Sequence, residues 1–405
     1  MAEFQNQPGN FGNNQAPLIK VIGAGGGGSN AVNRMFRTPI PGVDYVVVNT
    51  DSQALQRCDV PMRVQVGERL TRGLGVGGDP EVGRLAAEES REHLTDLVKG
   101  ADMVFIAAGM GGGTGTGSAP VVAEIARETG ALTVAVVTKP FSFEGAHRRR
   151  HADDGIQRLR DKVDSLIVIP NDRLSAISGE EVTISNAFSM ADDVLLQAVQ
   201  SIAELVTVPG EINLDFADVK SVMSHAGPSW LGIGTGAGER RAIIAARAAV
   251  SCPLLEVSIE GAKGVLFNIT GGTDLTLQEV QSAADAISEV VDPDANIFFG
   301  MATDPSMMDE VRLTIIATGF PTPDVLVPGR SEAAPGMEDQ EIDIDIPPFL
   351  RNAPSMGCNL HPSQAPDISG PSLATGPPCQ PGRPANVRRR RTAGAGRRSL
   401  FQPCA

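Results

Sequence analysis

Five apolar runs rich in β-branched residues punctuate the first 171 residues: "LIKVIGAG" from Leu18, "VDYVVVNTD" from Val43, "ADMVFIAAG" from Ala101, "ALTVAVVTKP" from Ala131 and "VDSLIVIPN" from Val163. They are near-continuous rather than alternating, which suits strands of a parallel sheet covered on both faces. Helical spacing fills the intervals between them. Strands alternating with helices predict a doubly wound, mostly parallel α/β domain over 17–180, with ligands outside the carboxyl ends of the strands. A helical pattern follows over 181–206, with Ile184, Phe188, Ala191, Leu195, Ala198, Ile202 and Leu205 at three- and four-residue steps. Pro209-Gly210 stops it. Beyond it the strands are grouped, with few helices, and predict a smaller α+β domain over 219–319; the segment 181–218 is a central helix with the loop that follows.

Two of the strand ends carry glycine loops. Gly23 to Gly28, "GAGGGG", has the G-x-G-x-x-G spacing between a strand and a helix. By itself that is the fingerprint of a dinucleotide site, and Asp51 at the end of the second strand could serve a ribose. A nicotinamide oxidoreductase is therefore the competing reading. The second loop, "GMGGGTGTGSAP" from Gly109, is one that a nicotinamide domain has no need of. It lacks a lysine, so it is no P-loop; the anion must be neutralised by backbone N–H groups, helix N-termini and a metal ion. One helix terminus supplies about half a positive charge, so several loops must converge on a triphosphate.

"GGGTGTGS", together with "KVIGAGGGGSNAVNRM", "VNTDSQAL", "RGLGVGGDPEVG", "FSFEGAHR", "IPNDRL" and "NLDFADVK", resembles the tubulin/FtsZ family in order and spacing over about 17–319. The resemblance implies a GTPase that polymerises head to tail and forms the cytokinetic filament. It implies that Gly26, Gly27, Gly28, Ser29 and Asn30 hold the α- and β-phosphates with Gly113, Thr114 and Gly115, and that Gly73–Pro80 borders the γ-phosphate. Many relatives have Asn where Ser29 stands. Glu144 and Arg148 would face sugar and phosphate, while Asn171, Phe188 and Asp192 would read and stack guanine; Asp193 is expected to be an exposed helix carboxylate. Asn213, Asp215 and Asp218 would reach into a neighbouring subunit's pocket and orient the attacking water. GTP or GDP with Mg²⁺ is the expected ligand, the ion held through the phosphates and not by direct protein ligands. A scaffold that binds GTP without turnover is a third reading, against which Asp215 and Asp218 argue.

Charge and composition bound the partners. Residues 1–350 hold 26 basic against 47 acidic residues, a net −21, whereas 351–405 hold eight arginines and one aspartate. So acidic a body is a poor nucleic-acid binder, and only the tail could play that part. One Trp and one Tyr argue against a stacking aromatic surface. The five cysteines (Cys58, Cys252, Cys358, Cys379, Cys404) show no metal or disulfide spacing. No run spans a bilayer, and the polar leader 1–16 has no apolar signal region, so the expectation is a cytoplasmic protein; the family resemblance implies action at midcell. A flexible linker over 320–340 precedes "DIDIPPFLRN", which within 341–352 resembles the family's peptide for membrane tethers and regulators. Relatives usually end near it; here 353–405 follow, an Arg-rich tail whose composition changes abruptly at about Pro354, as a shifted reading frame would produce.

Overall fold

The computed structural model describes residues 17–178, 183–207, 210–212, 214–252 and 259–320, all within one unit, Met1–Val327. The leader, most of the linker, the peptide 341–352, the tail, Pro209, Asn213 and the start of "LLEVSIE" lie outside the described residues.

The chain begins β1 (Ile19–Ala24), α1 (Gly25–Arg37), β2 (Val43–Asn49), α2 (Ser52–Gln56), β3 (Met62–Gln65), α3 (Glu68–Thr71), α4 (Pro80–Glu89) and α5 (Arg91–Val98). It continues with β4 (Met103–Gly109), α6 (Thr114–Glu128), β5 (Leu132–Lys139), α7 (Ala146–Arg160), β6 (Ser165–Pro170) and α8 (Asn171–Ser178). The long α9 (Ile184–Thr207) and α10 (Phe216–Met223) lead to β7 (Gly227–Pro228), β8 (Trp230–Ala237) and α11 (Arg241–Val250). Last come β9 (Gly264–Gly271), α12 (Leu277–Ser288), β10 (Asn296–Thr303) and β11 (Glu310–Thr318).

All five expected strands of the first domain form, in a seven-stranded parallel sheet ordered β3-β2-β1-β4-β5-β6-β7. Two short strands join them. β3 is a half-exposed edge with no long apolar run to announce it. β7 comes from beyond α10, so the sheet takes its last strand from the stretch assigned by sequence to the second domain. Alternate residues of each strand point to opposite faces. Ile22, Val46, Ile106 and Val137 meet α5, α6 and α7 on one side. Val21, Val47, Phe105 and Val136 meet α1 and α9 on the other, and that second core runs on without a break into the smaller sheet.

α9 buries Ala191, Leu195, Ala198, Val199, Ile202, Ala203 and Leu205. It starts at Ile184 where 181 was expected, and a separate helix, α8, occupies 171–178. Among the described residues no helix is long and apolar enough to cross a membrane.

The smaller sheet runs β10-β9-β11-β8, mixed in direction. The strand β8, "WLGIGTGA", and the helix α11, "RAIIAARAAV", were not anticipated from the sequence. Their packing explains both compositions. Gly232, Gly234 and Gly236 line one face of β8, and a Cβ on any of them would fall onto the backbone of α11, at Ala249, Ala245 and Arg241 in turn. The helix presents only small side chains there, Ala242, Ala245, Ala246 and Ala249 buried. Glycine in a strand interior weakens the strand but admits such an approach. Gly234→Val should cost about 3 kcal/mol, since the obstructing atoms are backbone and cannot repack. Thermal unfolding would show it as a lowered midpoint; a midpoint equal to the parent's would refute the close contact.

Candidate functional site

The carboxyl ends of β1, β2, β4, β5 and β6 open onto one cavity of about 590 Å³. The two glycine loops form its floor and touch each other backbone to backbone. Gly25, at φ +70°, has no room for a Cβ because the N of Gly115 occupies that place, and Gly27 lies against Gly109. Helices α1 and α6 both begin without a side-chain cap, so their first N–H groups are left for a ligand. Two neighbouring helices differ: Asp51 accepts from Gln53 N (2.8 Å) and Ala54 N (3.3 Å) to cap α2, and Asp79 accepts from Glu81 N (2.9 Å) to cap α4. The N–H groups offered to the cavity floor are therefore those of α1 and α6.

Of the residues singled out by sequence, Gly26, Gly27, Asn30, Gly113, Thr114, Gly115, Glu144, Arg148, Asn171, Phe188 and Asp192 line this cavity, with Gly75–Gly78 from the loop before α4. Gly28 and Ser29 do not. Helix α1 turns into the sheet at that point: Gly28 packs on the carbonyl of Ala107, and Ser29 is buried with its hydroxyl donating to Gly25 O at 2.5 Å. Sequence reading had no place for Asn49, Thr50 or Thr138, which also line the cavity. Thr50 Oγ1 lies 2.7 Å from Thr114 Oγ1 and joins the loop after β2 to the second glycine loop. Asn49 and Thr50 fall within "VNTDSQAL" without having been given a role, and Thr138 is marked only by its place at the end of a strand.

At the far end the polar groups are set for a planar ligand. Phe188, at the edge of Phe141 (ring centroids 5.5 Å), forms one wall. Asn171 is 5% exposed and its Oδ1 is buried without a hydrogen-bond partner, an acceptor waiting for a donor. Glu144 is held by Phe141 N, which donates to Oε1 at 2.9 Å, and by an ion pair with Arg148. Asp193, beside Asp192, was expected to be an exposed helix carboxylate but is half-buried, paired with Arg34 of α1 at 2.8 Å.

Residues 18–179 match the profile of the tubulin/FtsZ family GTPase domain, and residues 227–321 match the FtsZ family C-terminal domain. The solved FtsZ of M. jannaschii, an empty dimer, is 45% identical and superposes with a TM-score of 0.72, over 75% of this chain and 88% of that one. This chain belongs to the FtsZ family. It is accordingly a GTPase of the tubulin/FtsZ kind, a domain that binds GTP or GDP. A point mutant of the same archaeal FtsZ matches with the same identity and TM-score, over 91% of its length. CetZ1 from Haloferax volcanii, a GDP-bound monomer, shares 23% identity over 75% of this chain and 94% of its own, with a TM-score of 0.66, and so shares the fold.

Burial pushes the Asp192 carboxyl up to about 6; Arg34 pulls it down and Asp193 adds to the rise. The folded chain thus binds this proton more tightly than the unfolded one, so the cost of the buried charge is absent near pH 4 and complete above about pH 6. In the nucleotide-free protein, Asp192→Asn should add roughly 1–2 kcal/mol of stability at about pH 7.5, after discounting for partial exposure. The gain should vanish toward pH 4. Urea unfolding at the two pH values measures the difference, and a gain independent of pH would show that the carboxyl is not the source.

Proposed function

We propose that this FtsZ-family GTPase assembles head to tail into a filament, and that each GTP is hydrolysed at the junction by Asp215, Asp218 and Asn213 of the next subunit. The observation that carries the reading is where the carboxylates stand. Those lining the cavity are committed: Asp51 caps α2, Glu144 is tied to Arg148 and Phe141 N–H, and Asp192 lies at the far end beside Phe188. Among the described residues none is left at the glycine loops to orient a water. Asp215 and Asp218, at the start of α10, do not line the cavity of their own chain. Asp215 is exposed and Asp218 half-buried, the latter accepting from Asp215 N at 3.4 Å. Acids kept permanently beside a triphosphate would repel it, whereas acids delivered by a neighbour act only in the assembled state. The related archaeal FtsZ is a dimer in its solved structure, which supports association between copies.

In this reading the uncapped starts of α1 and α6, with Gly26, Gly27, Asn30 and Gly113–Gly115, hold the phosphates through backbone N–H groups. Arg148 and Glu144 meet the phosphate and sugar side. Phe188 stacks on the base, Asn171 accepts one of its N–H groups, and the Asp192 carboxylate accepts two more from guanine's edge; adenine offers no matching pair, so the acid would be left buried and unpaired. Among the described residues no group of three His, Cys, Asp or Glu could hold a metal, so Mg²⁺ would be carried on the phosphate oxygens and there offset charge that no lysine balances. Loss of the γ-phosphate would loosen the contact made by Gly73–Pro80, which links hydrolysis to disassembly as a coupling free energy. An interface joining two different faces without closing gives a filament. The family supports its use as the cytokinetic ring at the division site, held by tether and regulator proteins through 341–352.

Asp215→Ala should bind GTP as the parent does and lose on the order of 100-fold or more in turnover. For Asp218, which also holds the start of α10, Asn is the cleaner substitution. Specific activity of the parent should climb with protein concentration. Mixing Asp215→Ala with Asp192→Ala should recover turnover, because one supplies pockets and the other supplies loops. Constant specific activity, or mixtures no better than their parts, would rule out a shared site.

A further inference from the structure

The first two turns of helix α1 contribute Gly26, Gly27 and Asn30 to the cavity. One turn beyond Asn30, Arg34 crosses to α9, where its Nη2 lies 2.8 Å from Asp193 Oδ1 and 3.0 Å from Oδ2. Successive residues on a helix diverge by about 100°, so the adjacent acids have different surroundings. Asp192 lines the cavity; Asp193 does not, and is 42% exposed in its side chain against 37% for Arg34. A pair so open to solvent contributes little to holding α1 against α9. What it changes is the field at the neighbouring carboxyl.

We propose that Arg34 is a positioning residue for base recognition, which by neutralising Asp193 keeps Asp192 ionised and ready to accept guanine's N–H groups. The inference rests on the assignment of Asp192 to the base. The charged groups that act on Asp192 are Arg34 of α1 and Asp193 of its own helix. Asn171 of α8, Phe188, Ala191 and Leu195 border the same end of the cavity and are uncharged. Asp172, next to Asn171, is turned away onto Ser142 and Arg149. Burial works against ionisation of Asp192 and Asp193 adds to it, while Arg34 opposes both. An exposed cation can tune a half-buried acid in this way because the acid itself is shielded from solvent.

The sign of the effect separates this role from a mechanical clip. Removing Arg34 leaves two adjacent acids, so Asp192 should ionise less readily. Removing the charge of Asp193 leaves Arg34 unopposed, so Asp192 should ionise more readily. A clip would fail alike from either side. The test is the affinity of the nucleotide-stripped full chain for a fluorescent GDP between pH 5 and 8, with the matching ADP as control. Parent affinity should fall about tenfold for each pH unit below its midpoint. Arg34→Met should raise that midpoint by about half a pH unit and Asp193→Asn should lower it, both effects shrinking in about 1 M salt. Arg34→Lys should stay near the parent. Midpoints that move together, or do not move, overturn the role of Arg34. If Asp192→Asn keeps the full preference for GDP over ADP, the base assignment itself fails, and the Arg34 proposal with it.

Discussion

The contact on which the site depends is one of backbone with backbone. Gly25 and Gly27 of the first loop lie directly on Gly115 and Gly109 of the second. At Gly25 no side chain larger than hydrogen fits, and that residue is in the left-handed region besides. The close approach brings two helix N-termini to one cavity and aims both sets of free N–H groups at one point. The same interlock extends outward: a Cβ on Gly83 would meet the carbonyl of Gly113, and one on Gly117 would meet Pro80 and Arg84. The loop carrying Gly75–Gly78 is therefore anchored to the second glycine loop, so a change at the phosphate end has a direct path into α4.

That arrangement offers backbone N–H groups with no lysine in either glycine loop, and the acids around it are distributed unevenly. The carboxylates near the phosphate end are occupied in capping and ion pairing, which keeps them from repelling a triphosphate. The acids free to act on water are on α10, beyond the rest of α9 and a loop from Asp192. α9 is also the element both sheets share, since one continuous core runs from β1 and β2 through it to β9 and β11. The cavity, the central helix and the start of α10 thus share one packed core.

Much of this was legible in the residues. Continuous Val/Ile runs mark strands buried on both faces, and the glycine loops at two of their ends mark a polyphosphate site, because only close backbone approach requires glycine at that density. What escaped reading was where local pattern and tertiary role part company. The run "GIGTG" of β8 carries no strand propensity and becomes a strand because α11 needs a flat surface to lie on. β7 is two residues long and exists only by pairing with β6. Gly28 and Ser29 sit inside a binding motif, yet the turn of α1 directs them into the sheet. Thr50, within "VNTDSQAL" but given no role there, and Thr138, outside every quoted motif, reach the cavity because parallel strands end at one level.

By itself, then, the sequence determined the fold class, the order of the strands' glycine loops and the kind of ligand, since periodicity and glycine spacing act over a few residues and do not need the rest of the chain. Only the tertiary structure decided which of those residues share a cavity, which carboxylates are already committed, and that Asp193 is paired across to α1 while Asp192 is left half-buried beside it. Those are consequences of packing between segments as much as 159 residues apart, and nothing local to either segment encodes them.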